Sequence, residues 1–224
     1  FDICNDNFTE LYGGTTAALG FKAEGTDFTG SLLIGHSTTG TLSSAENNTG
    51  VGISALDALT SGDYNVALGF EAATAMSSGS FNVILGSRAG KDLTTGDHNV
   101  AIGYAALRTE DSGDKNVAVG YAALNALNYD GSAYNVAVGH SAGLSLTTGI
   151  RNTIVGGLAG DALTTGTDNV ALGYGALSSE DANGFNTAVG TSALQTLNAG
   201  TNAYNTAVGY QAGLSVSTGI RNVI

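Results

Sequence analysis

Proline and tryptophan are missing from this 224-residue chain, cysteine and methionine occur once each, and seven Lys or Arg residues face nineteen Asp or Glu. Each shortage excludes something. At a net charge of −12 there is no basic surface to neutralise a phosphate backbone or an anionic membrane, so neither nucleic acid nor membrane insertion is expected. No apolar run approaches the ~18 residues of a membrane span. The lone Cys4 can form no intrachain disulfide and has no companion thiol or His at metal-ligand spacing. Charged residues make up only 12% of the chain, while glycine occurs 34 times, a composition that points away from an ordinary globule and toward a repetitive scaffold.

What is present is one phrase, restated. NVALGFEAA at 65, NVAIGYAAL at 99, NVAVGYAAL at 116, NVALGYGAL at 169 and NTAVGYQAG at 205 are versions of a single unit. Its first Asn falls at positions 48, 65, 82, 99, 116, 135, 152, 169, 186, 205 and 222, in steps of 17 with 19 after Asn116 and Asn186. Four steps make a 70-residue super-repeat, and residues 82–151 match 152–221 at roughly 40 of 70 positions. Two degenerate units begin at Thr16 and Ser31, so the chain divides into 1–15, a cap or joint to a preceding domain, 16–47, degenerate repeats, and 48–224, regular repeats. The chain opens FDICNDN, without a start Met or signal-like region, and ends on RNVI, which restarts the unit read as RNTIVGG from Arg151. Both ends therefore read as cuts in a longer polypeptide, truncated at the C-terminus.

Counted from the Asn, the third residue onward is always Val, Ile or Leu, as in Leu19, Leu68, Val119 and Val208, and the first is usually Val or Thr. Alternation with β-branching predicts a strand. The residue between them is mostly Ala, and the fourth is Gly in every unit from Gly20 to Gly209. A Gly ladder inside a strand needs a reason, such as a bulge or a close backbone neighbour. Ala recurs again at the seventh position, from Ala55 to Ala212, and a turn such as LTTG at 93, 146 and 163 closes the unit.

Stacking units at the ~4.8 Å strand spacing turns like positions into ladders, which predicts an all-β fold: a parallel β-roll or β-solenoid of 17–19-residue rungs. The rung is expected to hold two strands of about five residues and two turns, with a helical turn around GYAALNAL as the rival for its second half. Stacked Asn side chains are expected to bond to one another and to turn backbone. The Val, Ile and Leu ladder is expected to fill the core. The Ala and Gly ladder, as at Ala118/Gly120 and Ala188/Gly190, is expected to face sister chains in a parallel homotrimer, with Ile84 and Ile154 as wider points.

These residues carry a resemblance. NVAVGYAAL and NTAVGYQAG resemble the N-S-V-A-I-G head repeats of YadA-like trimeric autotransporter adhesins, and more closely the NTAVGYQAL-type repeats of bacteriophage tail-fibre proteins. The similarity covers 48–224 well and 16–47 loosely. It implies left-handed parallel β-rolls with three chains side by side. The adhesin unit is shorter, near 14 residues, and the chaperone that often follows such phage repeats is absent from this sequence.

No enzyme is expected, and no catalytic, cofactor-binding or metal residue is assigned. His36 and His140 follow the ladder Gly and His98 sits in a turn, so they read as surface substitutions. No Ser stands in a G-x-S-x-G elbow, and Gly173-Tyr174-Gly175 is a lone G-x-G. The aromatics Phe21, Phe70, Tyr104, Tyr121, Tyr174 and Tyr210 suit either a sugar-stacking stripe or the closed edge of a roll. The turn residues Asp63, Asp97, Asp114 and Asp168 invite calcium, but the G-G-x-G-x-D repeat is missing and the Asp is not in every unit.

The reading favoured is the shaft of a viral tail fibre involved in host attachment, located in the virion. Its partners are its own copies, other fibre or virion proteins at its ends, and a host surface glycan or protein. A head or stalk segment of a bacterial surface adhesin is the alternative. An ice-binding solenoid ranks lower, because the TT pair of LTTG reads as replaced by Glu110-Asp111 and Glu180-Asp181.

Overall fold

A computed structural model of the protein describes residues 21–25, 28–34, 44–180 and 182–224. The expected cap at 1–15, the unit at Thr16, Leu19, Cys4 and His36 lie outside them. Strands β1 (Phe21–Gly25) and β2 (Phe28–Ile34) pair antiparallel. Ten strands follow, β3 to β12, each of three residues: Thr49–Val51, Val66–Leu68, Val83–Leu85, Val100–Ile102, Val117–Val119, Val136–Val138, Thr153–Val155, Val170–Leu172, Thr187–Val189 and Thr206–Val208. From β2 onward every strand pairs parallel with the next, in sequence order and in register, so Ala101 lies beside Ala118 and Ala118 beside Ala137. The chain is a β-solenoid with one repeat per rung.

Each rung carries one strand, not two, and the described residues contain no helix. The second half of the rung is a string of turns in which left-handed residues alternate with others: Ala105 (φ 53°) and Leu107 (φ 51°), Ala122 (φ 51°) and Leu124 (φ 48°). This alternation coils the chain while its amides still reach the next rung, as in Leu107 N–H to Ala123 O at 3.0 Å. A third left-handed residue precedes each Asn, for example His98 and Lys115. Such conformations cost L-residues least when Cβ is unbranched, and among the described residues none of the 26 non-glycine residues with positive φ is Val, Ile or Thr. With amides donated rung to rung all along the coil, the absence of proline follows.

The expected polarity of the strand is reversed. Ala67, Ala101, Ala118, Ala137, Ala188 and Ala207 are buried in the core, while Val119, Val138 and Val155 are partly exposed and Leu68, Leu172 and Val208 are 50%, 45% and 62% exposed. The reason is the width of the coil. The interior is filled from the turn side by Leu56, Leu107, Leu124 and Leu194 at the eighth position and by Leu93, Leu127, Leu146 and Leu163 at the eleventh, which leaves room only for Ala on the strand. Where the strand carries Ile, the eighth residue is Gly. A Cβ at Gly90 would stand 3.2 Å from Ile84 Cδ1, and one at Gly160 would stand 3.4 Å from Ile154 Cδ1. Ile84 and Ile154 are therefore core residues and do not mark wide points between chains.

The Gly ladder also turns out to be internal. A Cβ on Gly120 (φ 136°) would lie 2.2 Å from the carbonyl oxygen of Gly139, and one on Gly190 would lie 2.2 Å from that of Gly209. Close approach of successive rungs within one chain demands these glycines, so they carry no information about a sister chain. The Asn ladder behaves as expected. Asn65, Asn82, Asn99, Asn135 and Asn152 are fully buried; each Oδ1 accepts the backbone amide of the next Asn at 2.8–3.0 Å. The side-chain amides donate to turn carbonyls, as from Asn135 to Gly149 and Asn152 to Gly166, both 2.8 Å.

Candidate functional site

The turn carboxylates singled out in the sequence lie one per rung along the solenoid, each bonded to a neighbouring rung. Asp63 Oδ1 accepts the amide of Glu46, Asp97 Oδ1 that of Ser80, and Asp114 Oδ1 that of Asp97, at 2.7–2.8 Å. Asp168 forms a two-point pair with Arg151 at 2.7 and 2.6 Å, and the guanidinium holds its carboxyl below the usual range. The turn carboxylates thus serve as rung-to-rung acceptors. Among the described residues no three His, Cys, Asp or Glu gather closely enough to hold a metal ion.

Some aromatic residues stack from rung to rung, Tyr104 and Tyr121 among those singled out, while Phe70, Tyr174 and Tyr210 are exposed. Tyr104, Tyr121 and His140 stack at 5.4 and 4.9 Å; Tyr64, Phe81 and His98 stack at 5.0 and 5.1 Å; Phe185 and Tyr204 stack at 4.9 Å. Interplanar angles of 7–16° mean that ring faces meet one another. A sugar needs such a face free. Within a stack only the end rings offer one, which favours the closed-edge reading. His98 and His140 end two of these stacks. Gly173-Tyr174-Gly175 contributes its first Gly to the inner ladder, and no helix follows it.

The Thr pairs are also engaged. Thr94 and Thr147 donate their hydroxyls to Asp111 O and Thr164 O at 2.9 and 3.0 Å, so in these two pairs the first Thr belongs to the ladder and its hydroxyl is engaged. Glu110 and Glu180 do not replace that Thr. They stand at the eleventh position, in line with Leu93, Leu127, Leu163 and Leu197, fully buried; Asp111 is the residue that matches Thr94.

One continuous feature remains. The outward residues of the strands form two aliphatic ladders: Val66, Val83, Val100, Val117, Val136 and Val170 on one, and Leu68, Leu85, Ile102, Val119, Val138, Val155, Leu172, Val189 and Val208 on the other. Thr49, Thr153, Thr187 and Thr206 complete the first ladder. Isolated exposed aliphatics are ordinary on a protein surface; a ladder that is aliphatic on all ten rungs from Val51 to Val208, beside one of Val and Thr, is not. Sequence reasoning placed these residues in the core because alternation shows that two faces differ and not which one is inside. The signal for the inside was the second set of large residues, the Leu at the eighth and eleventh positions.

Among the described residues no helix is long and apolar enough to cross a membrane. No family model, no curated protein and no solved structure matches this chain.

Proposed function

We propose that the chain is a section of a fibre shaft, a non-enzymatic rod that associates with copies of itself and spaces or displays a host-binding tip, as in a viral tail fibre. The observation that carries this reading is the outward sheet face, with Leu68, Leu172 and Val208 45–62% exposed in the single chain. Identical copies running parallel present the same side chains at the same ~4.8 Å interval, so two aliphatic ladders of one copy match those of another along their whole length. Burying a half-exposed Val or Leu contributes on the order of 1 kcal/mol, and repetition over ten rungs multiplies the effect. Three copies are the number that the tail-fibre and adhesin resemblance implies. Other fibre or virion proteins at the ends, and a host surface, complete the partners of this reading.

Sedimentation equilibrium of the 224-residue chain and of a Val119→Asp/Val189→Asp variant tests it. The expected mass is about three times the 22.3 kDa chain mass, falling to a single chain in the variant with an unchanged far-ultraviolet spectrum. A monomeric native chain, or an assembly indifferent to both aspartates, would overturn the reading.

A further inference from the structure

The 19-residue rungs follow directly on the rungs that carry Glu110 and Glu180. Both glutamates replace a core leucine, and both are 0% exposed. In a regular rung five residues separate the eleventh position from the next Asn, as in Thr94-Thr95-Gly96-Asp97-His98; after Leu127 there are seven, 128–134. The extra two residues break the local ladder. Thr94 N–H reaches Asp111 O at 2.6 Å and Ser77 N–H reaches Thr94 O at 2.9 Å, but the long turn is out of step with the rung before it. Asn116 Nδ2 bonds Asp114 O at 3.2 Å, where Asn99 and Asn135 reach a turn carbonyl fourteen residues ahead.

Glu110 lies where the two turns meet. Its Oε1 accepts Gly113 N–H at 2.9 Å, on its own turn, and both carboxyl oxygens accept Tyr129 N–H at 3.3 Å, on the long turn. In the second super-repeat Glu180 Oε1 accepts Asn183 Nδ2 at 2.6 Å. A buried amide without a partner costs more than an ordinary hydrogen bond contributes, and no leucine at this position could accept one.

We propose that Glu110 is a positioning residue that makes the two-residue insertion in the following rung possible: the carboxyl enters the core in place of leucine to hold the backbone that the insertion throws out of step. The acidic turn and the long turn are then one device, and the same pairing of a buried Glu with a following 19-residue rung recurs in sequence at Glu180. Neighbouring charges do not explain the choice of Glu. Asp111 on the same turn and Asp130 on the long turn, bridged by Ser112 Oγ at 3.0 and 2.7 Å, are of like sign, and Asp97 on the preceding turn is engaged with Ser80.

The test is a cycle of substitutions at the first device, followed by thermal unfolding. One change is Glu110→Leu; the other replaces residues 128–134 with the five residues found at 94–98, which restores a 17-residue rung. Each alone is expected to lower Tm by about 5 °C or more, and the two together to recover most of that loss. Glu110→Gln, which keeps an acceptor oxygen, is expected to stay near the native Tm. Strictly additive losses, or a Glu110→Leu chain more stable than both the native and the Gln forms, would overturn the proposal by making position 110 an ordinary core site.

Discussion

The side-chain oxygen of Asn135 accepts the backbone amide of Asn152 at 3.0 Å, while its Nδ2 donates to the carbonyl of Gly149 at 2.8 Å. One fully buried side chain thus ties together two rungs and the turn between them. Asn135→Ala leaves a buried donor and a buried acceptor without partners, at roughly 1–3 kcal/mol each. A loss of about 2–5 kcal/mol in urea unfolding is expected, against little change for the exposed Asn128→Ala.

Two glycines separate close approach from conformational freedom. Gly120 has no room for a Cβ beside Gly139 O, whereas Gly200 (φ 68°) has nothing within 4 Å. Gly120→Ala is expected to cost several kcal/mol or to block folding, because the obstacle is backbone and cannot swing aside. Gly200→Ala is expected to cost about 1 kcal/mol, the ordinary penalty of the left-handed region. Melting temperatures of the two variants give the comparison directly.

The core exchanges volume between the second and eighth positions, Ala with Leu in one rung and Ile with Gly in another. Ile154→Ala opens a cavity and is expected to cost about 2–4 kcal/mol; Gly160→Leu overfills the rung, since even a Cβ there stands 2.8 Å from Leu163 Cδ1. Together they recreate the Ala171/Leu177 pairing of the next rung, and the double variant is expected to be more stable than either single one. Additive losses in chemical unfolding would contradict this complementarity.

Glu110 gives stability a pH dependence of unusual sign for a carboxylate. Burial pushes its carboxyl above the usual range, against the bonds from Gly113, Tyr129 and Asp111, with the charge of Asp111 adding to the rise. A folded value above the unfolded one means that its contribution is complete below the unfolded value, near 4.5, and is lost as pH rises through the folded value. Asp168, held low by Arg151, acts in the opposite sense and loses its contribution as pH falls. The Tm difference between native and Glu110→Gln chains is therefore expected to move in favour of Gln as pH rises from about 4.5 toward neutrality; a flat difference would contradict it.

Much of the rung was legible before the fold was known. Spacing of the Asn residues located the strand of each regular rung, β3 to β12, though not the antiparallel pair β1 and β2, and the side-chain chemistry of Asn predicted the buried ladder seen from Asn48 to Asn205. What failed was direction. Val66-Ala67-Leu68 alternates whichever side faces inward, and hydropathy favoured the wrong side because the protein hides small residues and displays large ones there. Nothing in a strand-period pattern announces turns built from left-handed Leu and Ala either. The legible trace is a vacancy, the absence of Val, Ile and Thr from positions such as Leu107, Leu124 and Tyr134, and it becomes visible only once the repeats are stacked. Glu110 reads in sequence as a substitute for Thr94, when its place in the rung is the buried one of Leu93.

The outward ladders are the part of the account on which its function depends. In a Cys4→Ser background, one cysteine placed at Val138 and, separately, one at the exposed Thr148 should behave differently under mild oxidation. If copies meet on the apolar face, Val138→Cys cross-links chain to chain in high yield while Thr148→Cys stays largely uncross-linked. Equal yields, or cross-linking confined to position 148, would show that the Val and Leu face is not where the copies join.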